Sequence, residues 1–127
     1  MSIRPRPLSP HLQVYRPQLT SVLSILHRGT GLFLVLGTLM VSFWVIALAL
    51  GHNIFVIYQT WLGSLIGKVL LVFWSFSLFY HWANGIRHLL WDIGWGYDID
   101  RVHMTGWIVV SVSVILTGLL WLSVAFV

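Results

Sequence analysis

Gly29 to Leu50 is a run of 22 residues without a charge, and a second uncharged run, Trp107 to Val127, closes the chain. A helix rises about 1.5 Å per residue, so each run is long enough for the roughly 30 Å of hydrocarbon in a bilayer. Backbone groups in hydrocarbon must be paired within the segment, which helices achieve. The chain therefore reads as an all-α membrane protein.

Composition excludes the alternative of a soluble domain. Of 127 residues 58% are hydrophobic and only 8% charged, against roughly 25% charged in soluble domains. There is room for three spans, expected at about 21–50, 62–90 and 106–127, within one integral-membrane domain, 1–127. Thr20 or Ser21 is the expected N-cap of the first span. Gly51-His52-Asn53 ends it, and "HNIFVIYQTW" reads as a short apolar connection. The second span, from Leu62 or Ser64 to Leu90, opens with Gly63-x-x-x-Gly67, a spacing that allows close helix contact. All three acids, Asp92, Asp98 and Asp100, lie in the loop before the third span. Residues 1–19 hold all four prolines and read as an irregular arm. The arm has arginines but no apolar segment directly after them, so it does not read as a signal peptide. With no cysteine, disulfides and thiolate metal sites are excluded.

Charge sets the expected direction. Arg4, Arg6, Arg16 and Arg28 lie on the N-terminal side, and Arg87 and Arg101 flank the loop after span two. Elsewhere only Lys68 is basic. By the positive-inside rule the N-terminus is cytoplasmic, and the net charge of +4 reports orientation rather than nucleic-acid binding. Trp91, Trp95 and Trp107 suit an aromatic belt on that side, and Trp61 one on the other.

The polar groups inside the spans then need a purpose. His81 lies ten residues before Trp91, about 15 Å within the boundary. His81, Asn84, Gly85 and His88 share one helical face, while Arg87 points away and is expected to snorkel to the headgroups. Such a histidine can hydrogen-bond a neighbouring helix, relay protons or bind a metal, of which haem iron is the commonest in this setting. Gly85 would leave space for a flat macrocycle. In span one Ser24, His27, Arg28 and Gly31 form a polar stripe at the cytoplasmic end. It reads either as an interfacial anchor or as a site for carboxylates and a quinone head, since arginine forks carboxylates and serine donates to carbonyls. His27 is expected nearer the surface than His81. With no second histidine at the depth of His81, an axial partner would have to come from another chain.

Two segments, "RPLSPHLQVYRPQLTSVLSILHRGTG" from Arg6 to Gly31 and "HWANGIRHLLWD" from His81 to Asp92, resemble the signatures of the cytochrome b membrane-anchor subunits of succinate dehydrogenase, respiratory complex II. The resemblance implies a haem b shared with a second small anchor subunit, with His81 as axial ligand. It places His27 beside the haem propionates; the shallower depth of Arg28 and His88 suits the propionates too, and His88 and Arg87 are expected at the propionates or at an interface. Ser24, Arg28 and Asp92 would form the ubiquinone site. It implies an iron-sulfur subunit and a flavoprotein as further partners, with no catalytic residue in this chain alone. Without a long presequence the chain is expected in the bacterial inner membrane, the mitochondrial inner membrane being the alternative. Rival readings are a haem-free structural anchor, a fumarate reductase-type anchor using menaquinone, and a transporter subunit. The transporter is disfavoured by the apolar outer half of span one, "VSFWVIALAL".

Overall fold

The structure is a computed structural model, and it describes residues 17–126. The expected arm, 1–19, lies outside the described residues except for Pro17 and Gln18, which are not helical, and Leu19, which opens the first helix. Four helices follow: α1 (Leu19–Leu50), α2 (His52–Gly63), α3 (Leu65–Asp92) and α4 (Ile99–Ala125). Three of them, α1, α3 and α4, are long and apolar enough to cross a membrane. The chain is a multi-pass membrane protein, as its uncharged runs require.

Three boundaries differ from the sequence reading. Helix α1 starts at Leu19 after Gln18, which makes no side-chain cap bond, so neither Thr20 nor Ser21 serves as N-cap. The connection after span one is itself helical. Gly51, at φ 116°, breaks the chain direction, and α2 then runs for 12 residues back along α1. Tyr58 Oη donates to the Met40 carbonyl at 2.9 Å and Trp44 Nε1 to Gln59 Oε1 at 3.3 Å, which ties the two helices together. Third, α4 begins at Ile99, seven residues before the expected start at 106. Asp98 precedes it and Asp100 stands in its first turn, where negative charge meets the positive end of the helix dipole.

Helix α3 is the centre of the bundle. It runs antiparallel to α1: Tyr80 Oη donates to the Leu23 carbonyl at 2.9 Å, while Trp74 lies farther down against Gly37. A Cβ at Gly37 would overlap the Trp74 indole, so only glycine admits this approach. Antiparallel packing against α4 is equally clear. Trp121 Nε1 donates to Ser75 Oγ at 3.0 Å near one end, and Arg87 reaches Thr105 near the other. The buried side of α4 is Gly106, Val109, Ser113 and Thr117, small or β-branched residues that let backbones come close. Ser113 and Thr117 return their hydroxyls to the carbonyls of Val109 and Ser113, at 2.6 and 2.7 Å, so neither is left unbonded in an apolar seam. Leu23, Tyr80 and Val109 form the small core where α1, α3 and α4 meet.

The Gly63-x-x-x-Gly67 spacing serves a turn rather than a second helix face. Gly67 sits on the carbonyls of Trp61 and Leu62, and its N–H donates to Ser64 Oγ at 3.2 Å.

Candidate functional site

Histidines gather where α1 and α3 cross. The His27 and His81 rings stack with centroids 4.0 Å apart and planes 7° from parallel, and His88 lies 5.1 Å from His27. This corrects the depth assigned to His27. Because α1 begins at Leu19, His27 is eight residues, about 12 Å, inside its start; His81 is eleven residues, about 16 Å, from the end of α3. The stack is face to face, so the two histidines do not present opposed nitrogens to one centre.

His81 is held by its Nδ1. That atom lies 3.1 Å from the His27 carbonyl oxygen, which can only accept, so Nδ1 carries the proton and Nε2 keeps its lone pair. Thr30, buried and three residues after His27, donates its hydroxyl to the carbonyls of Leu26 and His27 at 2.8 and 2.9 Å. The His81 ring rests on Gly31, where a Cβ would stand 3.0 Å from Cε1. The space at Gly85, by contrast, is open: no atom lies within 4 Å of a Cβ built there. Gly31 on α1 is thus the residue that seats the ring, and Gly85 leaves a free surface on α3, the helix that carries His81.

His88 is oriented by a chain of donors. Arg87 Nη1 can only donate, so the Asn84 oxygen faces it at 3.5 Å. The Asn84 amide nitrogen then faces His88 Nε2, also at 3.5 Å, and makes that atom an acceptor. His88 further meets Trp91 edge-on at 5.1 Å. Arg87 does not snorkel. It is 4% exposed, Nε donates to Thr105 Oγ1 at 3.0 Å, Nη2 to the Val102 carbonyl at 2.9 Å, and Trp91 covers the guanidinium at 4.1 Å. The early start of α4 supplies both oxygens, and burial among them outweighs the pull of the headgroup region.

Ser24 and Arg28 lie on the outer side of α1, lining a cleft of about 360 Å³ with Thr20, Ser21 and Ile25. Ser24 is half-buried and Arg28 exposed, with no ion pair among the described residues. Asp92 closes α3 and is exposed. The structure thus places His27, His81 and His88 in one cluster, with Ser24 and Arg28 together on α1 beside it. The sequence reading missed Thr30 and the joint role of Asn84 and Arg87. Asn84, fully buried on the His81 face, was the available signal. No three His, Cys, Asp or Glu among the described residues converge as a metal site.

Three membrane-length helices with a partly buried histidine cluster where two of them cross define an integral membrane protein. A family model described as the succinate dehydrogenase/fumarate reductase transmembrane subunit matches residues 2–120. The succinate dehydrogenase cytochrome b556 subunit of Rickettsia felis is 47% identical over 116 residues, 91% of this chain and 90% of that protein. The cytochrome b556 subunit of Paracoccus denitrificans is 38% identical over 122 residues, covering 96% and 93%. The cytochrome b560 subunit of Reclinomonas americana is 35% identical over 126 residues, covering 92% and 85%. The chain belongs to the succinate dehydrogenase/fumarate reductase transmembrane-subunit family.

Proposed function

We propose that this chain is the haem b-binding anchor subunit of succinate dehydrogenase, a single integral domain with its N-terminus cytoplasmic, in a bacterial inner membrane. It helps to form the site where ubiquinone is reduced. The observation that carries this reading is the bond from His81 Nδ1–H to the His27 carbonyl, which orients the ring and frees Nε2, as second-shell partners of metal-bound histidines do. A buried His27 Nδ1 without a hydrogen-bond partner among the described residues supports it further, because a propionate oxygen would satisfy that atom. The residues present fit haem: His81 would hold the iron, His27, Arg28 and His88 the propionates, and the open surface at Gly85 the macrocycle. When bound, haem supplies a one-electron redox centre beside the quinone site. The second axial ligand is assigned to a second small anchor subunit, since the stacked His27 ring is not opposed to His81.

The chain's own work is positional. Ser24 donates its hydroxyl to a quinone carbonyl, and the Arg28 guanidinium favours the negative charge that builds on that oxygen. Asp92, at the end of α3, offers a carboxylate through which protons arrive from the aqueous side. Electrons come from succinate through a flavoprotein and an iron-sulfur subunit, docked at the end of the bundle that carries Ser24, Arg28 and Asp92.

The test is a reduced-minus-oxidised visible spectrum of the purified complex, for wild type and His81→Ala. A b-type alpha band that is lost or shifted in an assembled His81→Ala complex supports the assignment. No band in the intact wild type would favour a haem-free anchor, a reading to which the His27–His81 ring stack, itself an interhelical contact, already lends support.

A further inference from the structure

Arg87 is the only arginine of this chain held inside the bundle among the described residues. Its three hydrogen-bonded nitrogens meet neutral oxygens, those of Thr105, Val102 and Asn84, and its face meets an indole. No carboxylate pairs with it: the one ion pair among the described residues joins Arg101 to Asp98 at 3.3 Å. The start of α4 beside it adds the positive end of a helix dipole and offsets nothing. A buried charge without a counter-charge is expensive, and a neutral side chain of similar shape could bridge α3 to α4. The positive charge itself therefore asks for an explanation that packing does not give.

Its position supplies one. Arg87 is six residues from His81 on the same helix, about 9 Å of rise. Asn84, on the helix between them, is fully buried and Arg87 is 4% exposed, so solvent screens the charge little. We propose that Arg87 stabilises the reduced state of a haem held on His81, acting through space without touching it. An electron added there gains the attraction of a fixed cation already in place. This rests on the haem-binding reading above and adds to it a tuning residue on the face of α3 turned away from the histidines.

The experiment is a potentiometric titration of the alpha band in the purified complex, comparing wild type with Arg87→Gln, Arg87→Lys and Thr105→Asp. Gln keeps a donor but no charge. Lys keeps the charge. Asp at position 105 faces Arg87 Nε and cancels the charge by pairing with it. Arg87→Gln and Thr105→Asp are expected to shift the midpoint to lower potential with the alpha band unmoved, while Arg87→Lys stays near wild type. Added salt should leave the difference intact, because the charge is buried. Should Arg87→Gln fail to assemble, Thr105→Asp against Arg87→Lys decides the matter. An assembled charge-cancelled complex with unchanged band and unchanged midpoint overturns the proposal. A wild-type complex with no b-type band instead overturns the haem reading on which it stands.

Discussion

Replacing Gly37 with alanine isolates the contact that sets how closely α1 and α3 approach. A Cβ at that position would run into Nε1, Cδ1 and Cε2 of Trp74, a rigid ring with no flexible end to yield. Overpacking of this kind costs about 1–3 kcal/mol. Alanine also stabilises a helix interior by about 0.8–1.0 kcal/mol relative to glycine, so the net effect alone would understate the clash. Gly118 supplies the control, since a Cβ there meets nothing within 4 Å. The difference between Gly37→Ala and Gly118→Ala removes the propensity gain and leaves the steric penalty, about 1–3 kcal/mol. Adding Trp74→Leu to Gly37→Ala should recover much of it, with an interaction energy of about 0.5–3 kcal/mol in the double-mutant cycle. The assay is unfolding of the detergent-solubilised protein, followed by loss of helical circular dichroism. Equal stability of the two alanine variants, with no coupling to Trp74, would refute the register of α1 on α3, and with it the meeting of His27 and His81.

The remaining predictions concern the same seams. Gly31→Ala places a Cβ 3.0 Å from His81 Cε1, so the ring must shift by a few tenths of an ångström; the alpha band of the complex should move or broaden, and an unchanged spectrum would separate Gly31 from the seat of the ring. Gly51→Ala forces a side chain into φ 116°, ψ 168°, and should destabilise by about 1–3 kcal/mol in the same unfolding assay. Tyr80→Phe deletes the hydroxyl bonded to the Leu23 carbonyl and should cost about 0.5–1.5 kcal/mol. For Arg28→Ala and Ser24→Ala, quinone-linked turnover of the complex should fall while succinate oxidation with a soluble dye survives; equal retention of both would remove these residues from the quinone site.

What the sequence showed and what it hid divide along helix ends. Uncharged runs of 21 residues or more announce membrane helices because hydrocarbon forbids unpaired backbone, and that signal needs no partner segment. The histidine faces were legible for the same reason, since seven-residue spacing puts His81 and His88 on one side of any helix. Depth and burial were not. His27 reads as nearer the surface because it stands beside the charged Arg28, although the span is expected from about 21 and α1 begins at Leu19; the neighbour it stacks on is not visible in the sequence. Starting span three at 106 removed Val102 and Thr105 from the bundle and left Arg87 nothing to bond, so it read as a snorkelling side chain. The acids at 98 and 100 marked the true start of α4, yet acids grouped in a loop look the same as acids at a helix N-terminus until the neighbour they face is known.

The two seams of α3 differ in a way that bears on where this chain is completed. Against α4 the buried polar side chains find partners within the chain: Trp121 on Ser75, Ser113 and Thr117 on their own helix, Arg87 on Thr105 and Val102. Against α1 the pairing is incomplete: Tyr80 and His81 bond the Leu23 and His27 carbonyls, but not every buried nitrogen is met. Trp74, His81 and His88, spaced by seven, face that helix in turn, and both buried nitrogens without a partner among the described residues, His27 Nδ1 and Trp74 Nε1, belong to it. An apolar cavity of about 180 Å³ lies at Trp74, and the Ser24–Arg28 cleft opens on the outer side of α1. In a bilayer, water cannot satisfy such groups, so the unmet bonding capacity marks the side on which something else must pack. Helix α4 therefore acts as a finished support that fixes α3. The two partnerless nitrogens and the Ser24–Arg28 cleft both lie on the α1 side, which is where the proposed haem, quinone and second anchor subunit would pack.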